Sequence, residues 1–182
     1  MVQSDQPSTS LQHFFSGIAE QTFQVQLGVA DPIMVDYLSD LLMRFLRTES
    51  LQRMRSPRGR PLLDLTDLLS EASQRIGVAR RQIHQHIGDL TLFWTGLFPE
   101  SLHDKGENKP TDRFIEYCHH GKRAYLVASS IEIDDDVEVS SEVLERLGQQ
   151  FDLCAYGLRE VRREWENRGN EDDNRPLPFL IN

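Results

Sequence analysis

Leu144, Leu147, Phe151, Cys154, Leu158, Val161 and Trp165 recur three and four residues apart. An α-helix gathers that spacing on one face, whereas a strand would send it to both sides. A stripe this long has to be covered, either by the rest of the chain or by a second copy. Gly148 and Gly157 weaken a free-standing zipper, so packing within the chain is the expectation. Arg159, Arg162, Arg163 and Arg168 crowd the end of this helix, where cations complement its dipole, and Arg162 stands four residues before Glu166 as a surface pair.

The same period runs through the rest of the chain. Leu11, Phe14, Phe15, Ile18, Thr22 and Val25 form a first stripe stopped by Gly28, with Phe23 off it. Asp31 and Pro32 mark a helix start, and Met34, Tyr37, Leu38, Leu41, Leu42 and Phe45 form its buried face. Asp64 is placed to cap a short helix with Leu65, Leu68, Leu69, Ala72 and Ile76 facing inward and Gly77 at its end. Ile83, His86, Ile87, Leu90, Phe93, Trp94 and Leu97 share one side of the next helix, which leaves Asp89 toward its outer face, and Pro99 closes it or starts another turn. After a polar loop from Asp104 to Pro110, Thr111 is expected to cap a helix that buries Phe114, Tyr117, Cys118, Gly121, Tyr125 and Ala128. Gly121 and Ala124 permit close helix approach. The acidic run Glu132–Glu138 reads as a solvated linker to a cap at Ser140 or Ser141, and it lacks the alternating ligands and central glycine of a calcium loop.

These segments predict an all-α fold: one domain, a bundle of about six helices over residues 11–168 with a long C-terminal helix, a flexible N-terminus (1–10) and a flexible or docking tail (169–182). The 182 residues suffice for a single core. The net charge of −9 opposes non-specific coating of nucleic acid or anionic membrane. That acidity sits in the second half: residues 1–98 hold nine Arg against ten acidic groups, and 99–182 hold eleven basic against nineteen acidic. No basic start with an apolar core marks a secretory signal, and no apolar run is long enough to span a bilayer, so a cytoplasmic protein with no membrane partner is expected. Cys118 and Cys154 fall on apolar faces outside any CxxC motif and are expected as reduced thiols.

The link "RSPRGRPLL" at 55–63 joins two of these helices. Arg55, Pro57, Arg58, Gly59, Arg60 and Pro61 resemble an AT-hook, an Arg-Gly-Arg core flanked by prolines. The resemblance spans seven residues and implies an extended arm whose Arg58 and Arg60 enter the minor groove of A·T tracts while Gly59 lies on its floor. Leu62 and Leu63 stand where further basic residues would follow, and the arm occurs once, between two amphipathic helices. The same Arg55, Arg58 and Arg60, with Arg44, Arg47 and Arg53 nearby, suit a phosphate, RNA or an acidic protein equally well, or water alone. The stretch "HIGDLTLFWTGLFPE" also resembles a family of uncharacterised bacterial helical proteins, which implies a helical body and no activity.

Two Glu-x-x-His pairs, Glu100/His103 and Glu116/His119, have the spacing of di-iron bundles. With fourteen Glu and six His the spacing is common, Glu116 and His119 point away from the apolar seam, and Glu100 follows a proline. His84 and His86, two apart on a helix, diverge, and Cys118 beside His119 lacks a third orienting group. No metal site and no cofactor is implied. The residues point to a non-catalytic helical interaction or regulatory protein, its partner most simply a protein and alternatively a nucleic acid met at 55–61. Phe179, Leu180 and Ile181 in the Pro-containing tail are candidate docking residues. The alternatives are a DNA-binding accessory protein using the Arg-rich arm, and a metal-binding helical enzyme built on the histidines between 84 and 120.

Overall fold

The computed structural model describes residues 7–46, 65–102, 110–133 and 139–171. Seven α-helices follow in order: α1 (Pro7–Glu20), α2 (Pro32–Leu46), α3 (Leu65–Gln74), α4 (Gly77–Leu97), α5 (Pro110–Ser130), α6 (Ser141–Gln149) and α7 (Phe151–Glu171). A π-helical turn at Gln21–Gln26 extends α1, and a 3-10 turn at Pro99–Leu102 follows α4. The fold is all-α and a single domain, with no strand among the described residues.

The axis of the bundle is α4, which packs against α2, α3, α5 and α7. It has no outer face over its second half, for Ile87, Gly88, Asp89, Leu90, Thr91, Leu92 and Phe93 are all buried in succession. Its two buried threonines satisfy themselves by back-bonding, Thr91 to the Ile87 carbonyl at 2.7 Å and Thr95 to the Thr91 carbonyl at 2.8 Å. Gly88 is needed because the Tyr125 ring of α5 lies where a Cβ would stand, 2.7 Å away.

The expected long C-terminal helix is divided. The chain leaves helical geometry at Gln150, so α6 and α7 succeed one another with a break between them, and both contact α5. The apolar stripe nonetheless persists across the break, with Leu144, Leu147, Phe151, Cys154, Leu158 and Val161 all buried within the chain. Trp165 lies half-buried, edge-on to Phe15 of α1 at 5.1 Å between ring centroids.

Four boundaries differ from the sequence reading, the first at α5, which begins at Pro110, so Thr111 lies inside the helix and does not cap it. In α1 the π turn shifts the helical phase, so Phe23 turns fully inward against Gly157 and Val25 is 74% exposed, the reverse of a uniform α period. Ile76 is not a core residue: α3 ends at Gln74, and Ile76 is extended and 84% exposed before Gly77, at φ 54, opens α4. The first helix already begins at Pro7 rather than at Leu11. The start of α2 is as its sequence implies, with the Asp31 carboxylate accepting from the Met34 amide at 3.1 Å, and it is held further by Arg146 of α6 at 2.6 Å. Ser140 caps α6 by accepting from the Val143 amide at 3.4 Å.

Candidate functional site

The largest departure from the sequence reading is Asp89. It is 1% exposed and faces α2 and α5 rather than solvent. Tyr37 of α2 and Tyr125 of α5 both donate to its Oδ1, at 2.5 and 2.7 Å, and Arg44 of α2 donates to Oδ2 at 3.0 Å. Gln85 completes the set by donating to the Tyr37 hydroxyl at 3.2 Å. Tyr37 and Arg44 can act together because residues seven apart share a helix face, and the Arg44 guanidinium lies over the Tyr37 ring at 5.3 Å.

Burial and then the neighbouring Asp89 hold both tyrosines well above their ordinary range, so both remain neutral donors. Burial acts against the Arg44 cation, but Asp89 and then Tyr37 outweigh it, and its pKa rises. His86, one turn before Asp89, stacks on Phe45 at 6.1 Å, and burial lowers its pKa against the opposing pull of Asp89. This cluster ties α2, α4 and α5 to one point, and three donors hold the Asp89 carboxylate there at 2% side-chain exposure, out of reach of an incoming substrate that a general base must contact.

Arg81, also unforeseen, is 3% exposed in the first turns of α4. Its guanidinium donates to the carbonyls of Ala128 (3.1 Å), Ile131 (3.3 Å) and Val139 (2.7 Å) and to the Ser141 hydroxyl (2.8 Å). No carboxylate pairs with it among the described residues. The negative end of the α5 dipole and its terminal carbonyls take that place. The clip thereby holds both ends of the acidic α5–α6 connection. Arg162 does the same for α4: it donates to the Leu97 carbonyl, pairs with Glu100, pairs with Glu166 as its spacing implied, and covers the Phe98 ring.

Of the exposed large apolar side chains among the described residues, Val25, Ile33, Ile76 and Val78 lie elsewhere on the bundle, and Ile115, Leu126, Leu153 and Tyr156 lie on α5 and α7. Lys122 and Asp152 pair at 2.7 Å on the surface beside the close approach of Gly121 to the buried Phe151 ring, where α5 and α7 meet. Two turns before Lys122 on the same face stands Ile115, 57% exposed; one turn past Asp152 stands Tyr156, 48% exposed, with Leu153 beside it at 36%. Leu126 continues the row and rests over Gly148 of α6. Half-buried Cys118 lies at this seam, its thiol pushed up by burial and then by Asp152, which keeps it protonated and unreactive.

The residues singled out in the sequence divide sharply. Arg55, Arg58, Gly59 and Arg60, like Phe179, Leu180 and Ile181, lie outside the described residues, as does His103. Glu100 serves Arg162. Glu116 stands 3.8 Å from His120 rather than beside His119, and His84, with its buried Nδ1 unpaired, sits apart on α4. Among the described residues no group of three or more His, Cys, Asp or Glu side chains is disposed to hold a metal ion, and no helix is long and apolar enough to cross a membrane. No family model, no curated protein and no solved structure matches the chain.

Proposed function

We propose that this chain is a non-catalytic helical interaction protein that binds a partner protein on the face shared by α5 and α7. The observation that carries the reading is the exposure of Ile115, Leu153 and Tyr156 together, in register across the Lys122–Asp152 pair. Exposed apolar residues scattered singly need no explanation; three on neighbouring helices, interspersed with charged side chains, suit a small mixed interface. Tyrosine is among the residues that most often anchor such contacts, and Tyr156 is 48% exposed. The buried polar groups agree with this reading, for Asp89 and Arg81 are committed to holding helices rather than to a substrate.

The test compares proteins retained from a lysate of the source cells by the full chain with those retained by Ile115→Asp and Tyr156→Asp. Both positions face solvent, so the helical circular dichroism is expected to be unchanged. A protein held in stoichiometric amount by the wild type and lost from both variants supports the reading. An identical set retained by all three overturns it.

A further inference from the structure

Arg80 and Arg123 are exposed cations on the two walls of one groove. Arg80 stands four residues before His84, so both lie on one face of α4. Arg81 donates to the Ala128 carbonyl and Gly88 lies against the Tyr125 ring, which sets α4 and α5 antiparallel. His84 falls between those two contacts on α4, and Arg123 stands two residues before Tyr125 on α5. Asp89 is five residues past His84, about 140° round the helix, so this groove is separate from the tyrosine cluster.

No carboxylate among the described residues neutralises these cations. Neither Arg80 nor Arg123 forms an ion pair with any of them. Glu116, two turns before Arg123 on α5, stands instead 3.8 Å from His120. Half-buried His84 has its Nδ1 buried with no hydrogen-bond partner. Burial, then Arg80, then Arg123 lower its pKa, so the ring feels both cations. In a chain of net charge −9 this is a local excess of positive charge, and a dianion between the guanidinium groups relieves their repulsion. Guanidinium forks match the oxygens of a phosphoryl group two at a time, whereas a monocarboxylate offsets only one of the two charges.

We propose that Arg80, His84 and Arg123 bind a phosphoryl dianion in the α4–α5 groove, either free phosphate or the phosphate group of a small ester. The arginines take its oxygens from the two walls, and the imidazole lies between them. The site uses none of the residues of the partner-binding face and does not depend on it.

The His84 ring resonances of the full chain, identified by their loss in His84→Gln, read the site directly. They are followed at about pH 8, where phosphate is largely a dianion, while inorganic phosphate replaces chloride at constant ionic strength. A saturable displacement is expected. Arg80→Gln and Arg123→Gln, both at exposed positions, are each expected to weaken the apparent affinity about tenfold or more with helical circular dichroism unchanged. Methyl phosphate is titrated in parallel. A matching response to the ester assigns the site to a phosphate group carried on a larger molecule, and a response to inorganic phosphate alone assigns it to the free anion. The inference is overturned by the absence of a saturable response to either, by an equal response to acetate, or by a response that survives the loss of both arginines. No partner protein enters this measurement, so its failure leaves the proposed function standing, and a phosphate response with no protein retained would sink the proposed function alone.

Discussion

Tyr125 donates its hydroxyl to Asp89 across 2.7 Å of buried interior, and the same carboxylate oxygen receives Tyr37 from the opposite side at 2.5 Å. Two helices that contact each other little are thus joined through one atom on a third. Hydrophobic burial is non-directional and would tolerate a rotation of α2 or α5 about its axis. A shared acceptor with two short bonds would not, and Arg44 fixes the remaining oxygen from the same face of α2.

Removing that acceptor is expected to be costly. Asp89→Ala leaves two buried hydroxyls without their acceptor, a loss of about 2–6 kcal/mol, while the Arg44 side chain, 40% exposed, can turn to water. Tyr125→Phe removes one donor and is expected to cost about 1–2 kcal/mol. Urea denaturation of both variants checks the order; an Asp89→Ala chain as stable as Tyr125→Phe would mean that the carboxylate is not the anchor.

Alkaline pH tests the same cluster from the other side. Burial and then Asp89 raise the pKa of Tyr37 and Tyr125 above their ordinary value of 10.0. In the unfolded chain both ionise near that value, so above it the folded state binds more protons and stability falls as pH rises. Below it the contribution is fully present. Thermal melts between pH 8 and 11 are expected to show the decline, and Tyr37→Phe with Tyr125→Phe should be less stable at pH 8 but flatter across the range.

Much of this fold is visible in the sequence, because apolar period and caps are local signals. The six apolar positions expected of α2, from Met34 to Phe45, are all buried, as are Leu144 to Val161 across α6 and α7. Failures occur where tertiary context outweighs local pattern. Asp89 looks solvent-facing if α4 is treated as amphipathic, yet the unbroken run Leu90-Thr-Leu-Phe93 was the available sign of a helix covered on all sides. The π turn that turns Phe23 inward leaves no sequence mark, and the α6–α7 break falls within an uninterrupted stripe. Arg81 could not be found from spacing at all, since its acceptors lie 47 to 60 residues away. The exposed group on α5 and α7 was missed because Ile115, Leu153 and Tyr156 come together only once the two helices pack side by side.

Glycine substitutions separate close packing from simple helix propensity. A Cβ at Gly157 would lie 2.1 Å from the Phe23 ring, which is fully buried and has no room to withdraw. Gly157→Ala is therefore expected to destabilise by about 1–3 kcal/mol. At Gly17 nothing lies within 4 Å, so Gly17→Ala is expected to gain up to about 1 kcal/mol from helix propensity. Opposite shifts in melting temperature verify the pair; two shifts of one sign would contradict it.

Acidification is expected to weaken the fold through α4. Burial lowers the pKa of His84 and of His86, with Arg80 and Arg123 adding to the effect at His84 and Asp89 opposing it at His86. The unfolded chain then binds protons that the folded chain refuses, so stability is present above the ordinary value of 6.5 and is lost as pH falls through it toward the lowered folded values. Melts from pH 7.5 to 5 should record the loss. His84→Gln with His86→Gln should reduce its slope, and an unchanged slope would assign it to other groups.

Arg81 makes the sharpest distinction between charge and shape. If the α5 dipole and carbonyls compensate its buried cation, a lysine keeps the charge but cannot reach four acceptors from one rigid fork. Arg81→Lys should then lose most of what Arg81→Ala loses, on the order of 3 kcal/mol for the truncation. Hydrogen exchange locates the effect as well as its size: the last turn of α5 and the first turn of α6 should exchange faster in both variants, while the α2 amides near Tyr37 stay protected. Loss of protection spread evenly over the bundle would instead make Arg81 a general packing residue, and a lysine variant as stable as wild type would show that charge alone suffices at the α5 terminus.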